Sequence, residues 1–505
     1  MFEFNDLSTL QIAVLVAYFA ILLILSFYGA HRYRIVRLYR KYASGPDPEP
    51  AQRFAPAQLP IVTVQLPLFN ERYVAERLIR AVCALDYPAD RLEIQVLDDS
   101  ADDTTEICAK LVQEMQALGH DIVLIYRENR SGYKAGALEA GLAQARGEFV
   151  AIFDADFVPK PDFLRATVDY FTDEKIGMVQ ARWDHINREH SLLTRAQAIL
   201  LDGHFVLEHC ARNRAGLFFN FNGTAGIWRA QAISDAGGWE HDTLTEDLDL
   251  SYRAQMAGWD FLFLRDLTVP SEIPVEMNAF RTQQHRWAKG SMQTAIKLLP
   301  RVLKSDLPRD VKYEAFHHLS SNFAYLLMVI LAVLMPLATM IRIHQGWHEA
   351  LFLDLPIFLS ATFSICYFYW VSQREIGRSA GEVIGLIPGV LALGIGVSLN
   401  NAKAVLEAIV GHQTPFVRTP KYAISQNNKS WSSKLYINKS IMLPVVEFAL
   451  GAWFSYAIVV VLIGERQSLF SIPFLMLFQC GFFYVALLSL TQSFRGILGR
   501  VEPQS

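Results

Sequence analysis

The sequence predicts an α/β domain built on a mostly parallel sheet and joined to an α-helical membrane domain. Three observations predict it. Short β-rich runs alternate with helical patterns from Ile61 onward, acidic residues close two of those runs, and apolar segments long enough to cross a bilayer lie on either side. A hydrophobic fraction of 52% over 505 residues is high for a chain wholly in water. The excess is unevenly placed and divides the chain into 1–45, 46–305 and 306–505.

The first apolar segment, "TLQIAVLVAYFAILLILSFYG" over 9–29, carries no charge and can cross a hydrocarbon core of about 30 Å as one helix. "HRYRIVRLYRKY" follows at once, so the positive-inside rule puts 31–42 in the cytosol and the N-terminus outside. Only Glu3 and Asp6 are charged before the apolar run, which argues against a cleaved signal peptide. Further spans are expected over 323–341, 351–371, 441–464 and 470–490. The glycine-rich run 384–399 is expected on the membrane surface, because a crossing there would strand Arg418, Lys421, Lys429 and Lys434 outside. The expected setting is a bacterial inner membrane, with the catalytic domain and the C-terminus cytosolic. Cys83, Cys108, Cys210, Cys366 and Cys480 form no CxxC pair and read as reduced thiols. A net charge of −4 gives no sign of a nucleic-acid partner.

Within 46–305, "IVTVQLPLF", "LEIQVLDDS", "DIVLIYRE" and "FVAIFDADF" read as strands, separated by the helical patterns "RYVAERLIRAVCAL", "TTEICAKLVQEMQAL" and "KAGALEAGLAQA". Ligands of such sheets bind beyond the carboxyl ends of the strands. Asp98 and Asp99 close the second strand; Asp154 and Asp156 close the fourth. Side chains alternate along a strand, so Asp154 and Asp156 project to one side, where two carboxylates can share a cation. Mg²⁺ or Mn²⁺ suits such oxygen ligands and commonly bridges to a substrate diphosphate. No G-x-x-x-x-G-K-[ST] loop, no G-x-G-x-x-G after the first strand and no H-E-x-x-H helix is present. His185, His190, His204 and His209 lack a zinc spacing and read as structural or surface histidines.

"DTLTEDLDLSYRAQMAGW" predicts a helix with Thr243 or Thr245 as its cap, Glu246 or Asp247 in the first turn and Gly258 as its stop. Leu248, Tyr252 and Met256 give it a buried face. Taken alone, the acids would only favour the helix dipole. "FFNFNGTAGIWR" upstream and "FRTQQHRWAKGS" downstream add a polar wall and an aromatic platform. On a helix, Gln283, Arg286 and Trp287 share a face, and Met292, Ala295, Leu299 and Val302 form a separate apolar stripe. Trp287 could anchor at the membrane interface, but its almost wholly polar turn favours stacking on a polar ligand.

The order "LDDS" (97–100), "DAD" (154–156), "TED" (245–247) and "QQHRW" (283–287) resembles the membrane-embedded family 2 glycosyltransferases that include cellulose, hyaluronan and plant mannan synthases. The resemblance runs from Ile61 to about Lys421, and "FNGTAGIWR", "AGGW" and "QQHRW" are most similar to the mannan and glucomannan synthase-like branch. It implies a GT-A fold, a nucleotide-sugar donor and Mg²⁺ or Mn²⁺. Residue by residue, it implies donor contacts from Pro67, Asn70, Glu71, Asp98, Asp99, Lys134 and Asp154, metal at Asp154 and Asp156, and Asp247 as general base. Thr245, Glu246, Gln283, Arg286, Asn222, Gly223 and Thr224 fall around the diphosphate and acceptor, with Trp287 stacked on the acceptor sugar. "FVRTPK" (416–421) is similar to a gating loop through Phe416, Thr419 and Lys421, while Arg418 and Pro420 depart from the commoner pattern.

The function so implied is a processive inverting β-glycosyltransferase. It would polymerise a hexose from UDP-glucose or GDP-mannose into a β-glucan or (gluco)mannan and pass the chain through its own spans. The alternative is a non-processive, ceramide glucosyltransferase-like enzyme acting on a membrane lipid. A non-enzymatic scaffold is disfavoured by the convergence of so many competent groups. Expected partners are a nucleotide sugar, a glycan or lipid acceptor and membrane lipid.

Overall fold

The computed structural model describes residues 7–127, 129–347, 351–414, 417–424, 442–464 and 466–498. One helix, α1 (Thr9–Tyr42), carries the first apolar segment and the basic run together, and a capping box at Ser8 and Gln11 starts it. Its 34 residues make it roughly 51 Å long. Leu15, Tyr18 and Leu22 from its first half join the apolar core of the membrane helices. Ile35, Val36 and Tyr39, spaced as one helical face within the basic run, enter the core of the α/β domain instead.

That domain runs β1 (Val62–Leu68), α2 (Ala75–Cys83), β2 (Leu92–Asp98), α3 (Thr104–Ala117), β3 (Ile122–Tyr126), α4 (Tyr133–Leu142), β4 (Phe149–Ile152), α5 (Phe163–Thr167) and β5 (Ile176–His185). It continues with α6 (Leu192–Asp202), α7 (Cys210–Arg214), β6 (Gly226–Arg229), α8 (Ala230–Asp235), α9 (Glu246–Met256) and β7 (Asp260–Ser271). The strands form one sheet in the order β3-β2-β1-β4-β6-β5-β7. All neighbours pair parallel except β6, which is antiparallel to both β4 and β5. The expected strands are β1 to β4; β5, β6 and β7 extend the sheet beyond them. Register sets Leu68 beside Asp98, so the loops after β1 and β2 leave the same edge together. Fully buried patterns in β2 and β4 fit strands covered on both faces.

Beyond the sheet come α10 (Met277–Lys304), α11 (Arg309–Ser320), α12 (Phe323–His344), α13 (Leu351–Glu375), α14 (Ala380–Gly396), α15 (Ser398–Ile409), α16 (Met442–Ile463) and α17 (Ile472–Leu498). Five stretches among the described residues are long and apolar enough to cross a membrane: Thr9–Tyr42, Phe323–His344, Ala380–Ile409, Met442–Ile463 and Leu469–Ser493. The chain is thus built as an integral membrane protein. The run 384–399, expected at the surface, lies inside Ala380–Ile409, so length and apolarity alone also allow a crossing there. The expected span 351–371 lies in α13, which is not among the five. Val390, Leu393 and Val397 share a core cluster with Leu193 and Ala196 of α6 and Val485 of α17.

Two apolar stripes read from the sequence meet each other. Leu248, Tyr252 and Met256 of α9 pack with Met292, Ala295, Leu299 and Val302 of α10. Gly290 lets that contact close: a β-carbon there would stand 2.6 Å from Thr245 Cγ2 and 2.8 Å from Thr245 N.

Candidate active site

The carboxyl edge of the sheet, the N-terminus of α9, one face of α10 and the segment 417–424 enclose a single cleft. Pro67, Glu71, Asp99, Lys134, Asp154, Asp156, Asn222, Gly223, Thr245, Glu246, Asp247, Gln283, Arg286, Trp287, Thr419 and Lys421 all line it. Residues that sequence reasoning placed in one site therefore do converge, although they are spread over more than half of the chain.

Asp247 is the second residue of α9, where its Oδ1 accepts the Leu248 N–H at 2.8 Å. Thr245 precedes the helix but does not cap it with its side chain; its hydroxyl lies 3.2 Å from that of Thr294, and Gln293 accepts the Leu244 N–H at 2.9 Å. Thus α10 holds the turn that aims Asp247. Burial, then the charge of Glu246, raises the Asp247 carboxyl to about 7 against the pull of Lys134. A carboxylate poised near neutrality suits a general base.

Lys134 links the base to the acidic turn after β4. Its ammonium donates to Asp154 Oδ1 at 2.5 Å and to the Gly223 carbonyl at 2.9 Å. Burial alone lowers the Lys134 pKa, but Asp154, Glu246 and Asp247 outweigh it and hold the group above its usual value. The loop carrying Asn222, Gly223 and Thr224 is fixed from behind by the buried Gln180, which accepts the Asn222 N–H at 3.0 Å and donates to the Thr224 carbonyl at 3.1 Å. Thr224 does not reach the cleft: its hydroxyl accepts the Asp154 N–H at 2.8 Å and so orients the acidic turn.

Asp154 and Asp156 both line the cleft from a turn just beyond β4 rather than from the strand itself. The donor set there is oxygen only and fits a hard divalent cation. Lys134 pairs with the first carboxylate and Lys421 with the second, at 2.7 Å. A further acidic group, Glu240, Asp242 and Asp249, has its oxygens within 4.8 Å of one another. The Lys297 ammonium already fills the cationic role in it, 2.7 Å from Asp242 and 2.9 Å from Asp249.

Asp98 was expected at the donor, but it is fully buried and its Oδ1 accepts the Ser100 N–H at 3.0 Å. Asp99 alone of the pair lines the cleft, gripped by Arg127, whose Nε donates at 2.8 Å. Alternation at the end of β2 turns one acid inward and one outward. Asn70 is likewise a brace: with φ of 57° it donates its N–H to Ser100 Oγ and accepts the Ala101 N–H, tying the first two loops together.

On α10 the motif splits by face. Gln283, Arg286 and Trp287 face the cleft. His285 and Lys289 point away to Glu407 of α15, each at 3.1 Å. The segment 417–424 crosses the cleft beside Glu71 and Asp156. Arg418 makes two bonds to Glu71 at 3.0 and 2.9 Å, Lys421 reaches Asp156, and Glu272 accepts the Tyr422 and Ile424 N–H groups. Burial raises Glu71 to about 7, with Arg418 opposing. Phe416 lies outside the described residues. Arg418 was read as a topology-setting charge and a departure from pattern, not as a partner of Glu71, and Arg130, stacked 3.2 Å over the Phe69 ring on the cleft wall, was missed. Their roles depend on partners remote in sequence, so spacing carried no signal for them.

Residues 60–290 match the family described as glycosyltransferase like family 2. Glucomannan 4-beta-mannosyltransferase 1 of Oryza sativa subsp. japonica is 44% identical over 271 residues, 53% of this chain and 52% of that protein. Glucomannan 4-beta-mannosyltransferase 2 of Arabidopsis thaliana is 47% identical over 254 residues, 49% and 48% of the two chains. This chain spans about half the length of the curated relatives it matches. Among solved structures, the mannosyltransferase PcManGT from Pyrobaculum calidifontis, in complex with GDP-Man and Mn²⁺, is similar with a TM-score of 0.51 and 21% identity. It covers 80% of this chain and 99% of its own, and at that identity the likeness is one of fold. The sheet-bearing part of this chain, residues 60–290, matches the glycosyltransferase family 2 model and has a GT-A-like fold.

Proposed function

We propose that the chain is an inverting β-hexosyltransferase that moves mannose from GDP-mannose onto a growing β-glycan and passes the product through its membrane helices. The observation that carries this reading is the meeting of Asp247, Lys134 and Asp154 around Gly223, which sets a base beside the positive charge a leaving diphosphate needs. The names and identities of the plant relatives support mannose as the sugar.

In this reading Asp247 accepts the proton of the acceptor hydroxyl as its oxygen bonds to the anomeric carbon, and the bond to the diphosphate breaks on the opposite side. One displacement inverts that carbon. Lys134 and Arg286 offset the charge that grows on the diphosphate. Asp154 and Asp156 would hold Mg²⁺ or Mn²⁺, which would supply further positive charge beside the leaving diphosphate. Asp99 and Glu71 border the nucleotide, Trp287 presents a flat apolar face to the acceptor sugar, and Thr419 and Lys421 belong to a strap over the donor. The basic run 31–42 supports a cytosolic catalytic domain and an N-terminus outside, as in a bacterial inner membrane.

Membranes containing the full-length chain are to be incubated in turn with labelled GDP-mannose, UDP-glucose and UDP-N-acetylglucosamine, and the products sized and linkage-analysed. A long β-mannosyl polymer from GDP-mannose is expected. A single organic-soluble glycolipid would replace the glycan acceptor with a lipid, and no transfer from any donor would overturn the reading.

A further inference from the structure

Behind the cleft wall, the helix that begins as α6 widens into a π-helical turn over Gly203–His209 and then continues as α7. Widened turns of this kind are rare and recur at functional sites. In a regular α-helix, residues five apart diverge by about 140° round the axis. Here the rings of His204 and His209 come within 4.2 Å of each other. Both meet one side chain: Asn222 Nδ2 lies 3.0 Å from His204 Nε2, and Asn222 Oδ1 lies 2.7 Å from His209 Nε2.

Proton logic fixes each member. The Asn220 carbonyl, 3.0 Å from His209 Nε2, can only accept, so that nitrogen carries a hydrogen and donates to Asn222 Oδ1 as well. Glu208 Oε2 stands 3.0 Å from His204 Nδ1. Burial pushes that carboxyl up, but Arg212 and His204 outweigh it and hold it well below its ordinary value. Glu208 is thus an acceptor, and His204 carries its hydrogen on Nδ1. The lone pair left on His204 Nε2 takes an amide hydrogen from Asn222. The brace continues from Glu208 through Arg212 to Glu314 and His31, anchoring it to α11 and α1.

The oxygen and nitrogen of the Asn222 amide are therefore not interchangeable. An amide has two hydrogens and two lone pairs, so one of each remains for the cleft that Asn222 lines. The next residue, Gly223, packs against Asp247, which faces the acceptor hydroxyl, whereas the nucleotide end is marked by Asp99.

We propose that Asn222 reads a hydroxyl of the acceptor glycan, and that His204, Glu208 and His209 are positioning residues that fix the polarity of its amide. This rests on the glycan-acceptor reading of the cleft. A hydroxyl both donates and accepts, and so matches the hydrogen and the lone pair that remain. Sites that bond a hydroxyl discriminate against its loss far more strongly than apolar pockets discriminate by size.

Calorimetry on the purified full-length chain, with mannohexaose and GDP titrated separately, tests this. His204→Phe keeps the ring but removes the acceptor, and should weaken mannohexaose binding about tenfold or more while GDP changes less than about twofold. Glu208→Gln alters no volume. Its amide oxygen, set where Oε2 stands, still accepts from both His204 Nδ1 and Arg212, so glycan affinity should change less than about twofold, whereas Glu208→Leu removes that acceptor and should show the same selective loss. His204→Gln, whose Oε1 can accept, should recover part of the affinity. Unchanged glycan binding in His204→Phe and Glu208→Leu, equal losses of glycan and GDP, or a wild-type chain that does not bind mannohexaose would each overturn the proposal. Turnover of GDP-mannose by the wild type judges the transferase reading separately, because a wild type that transfers while the variants bind glycan normally sinks only the positioning role.

Discussion

Gly223 packs directly against the side chain of Asp247. A β-carbon at that position would stand 2.9 Å from Asp247 Oδ2 and 3.3 Å from Lys134 Nζ, and the φ of +80° already disfavours any side chain. Gly223→Ala should displace the base from its lysine and lower kcat by about 100-fold, since small misplacements of reacting groups cost on that order. GDP affinity should change little. Single-turnover rates at saturating donor check this, and wild-type turnover would show that the close packing has no catalytic weight.

Asp247 also predicts a pH profile. Burial and Glu246 raise its carboxyl to about 7, and a base works only when deprotonated, so the transfer rate should fall as pH drops through that value. The stability effect has the opposite sign. A carboxyl that holds its proton more tightly when folded costs nothing below its ordinary value of 3.8, and its cost grows as pH climbs to about 7. Asp247→Asn should therefore abolish transfer yet raise Tm by about 2–5 °C at pH 8 and by less at pH 5. Thermal scans at the two pH values decide it.

Trp287 should separate the two substrates. Trp287→Ala removes the flat face proposed to meet the acceptor sugar and should weaken glycan binding by about tenfold, the scale of one aromatic contact together with its buried area. Chain elongation should stop while GDP still binds. An equal loss of both ligands would make the ring structural.

The strap contributes a buried ion pair whose partners come from opposite ends of the chain. Arg418 and Glu71 keep only 10% and 12% of their side chains exposed. At pH 8, above the value of about 7 to which burial raises Glu71, Arg418→Ala leaves that carboxyl without its guanidinium and should destabilise the protein by about 3 kcal/mol. Adding Glu71→Gln should restore much of that loss, and denaturation of the single and double variants measures the coupling.

Legibility from sequence followed the range of the interactions. The stripes of α9 and α10 were readable because each is local, and their pairing follows once both helices exist. That Asp154, Asp156 and Asp247 would meet in one cleft was readable because the turn after a strand and the start of a helix place them. Asp98 was misjudged because which of two adjacent acids turns outward depends on the loop after β2. The strands β5 to β7 escaped notice partly because β6 is only 4 residues long and runs against its neighbours. Lys421 meets Asp156 across 265 positions, a separation at which no pattern in the chain can pair them. His204 and His209 were read only as structural or surface histidines, and their shared hold on Asn222 depends on one helical turn being wide.

Helix α10 carries Arg286 and Trp287 on one face, and the same rod is tied to α15 by Lys289, to α16 by the buried Arg281–Glu447 pair, and to α17 through Asn278 and Ser493. The lipid then becomes a component of the enzyme's tuning. A bilayer too thick or too thin for α16 and α17 is accommodated partly by tilt, and any such tilt is geared to the face of α10 that turns Arg286 and Trp287 into the cleft. Turnover in vesicles of graded acyl length should therefore peak at one thickness, and a flat response would mean that the rod yields at its joints before the chemistry feels the membrane.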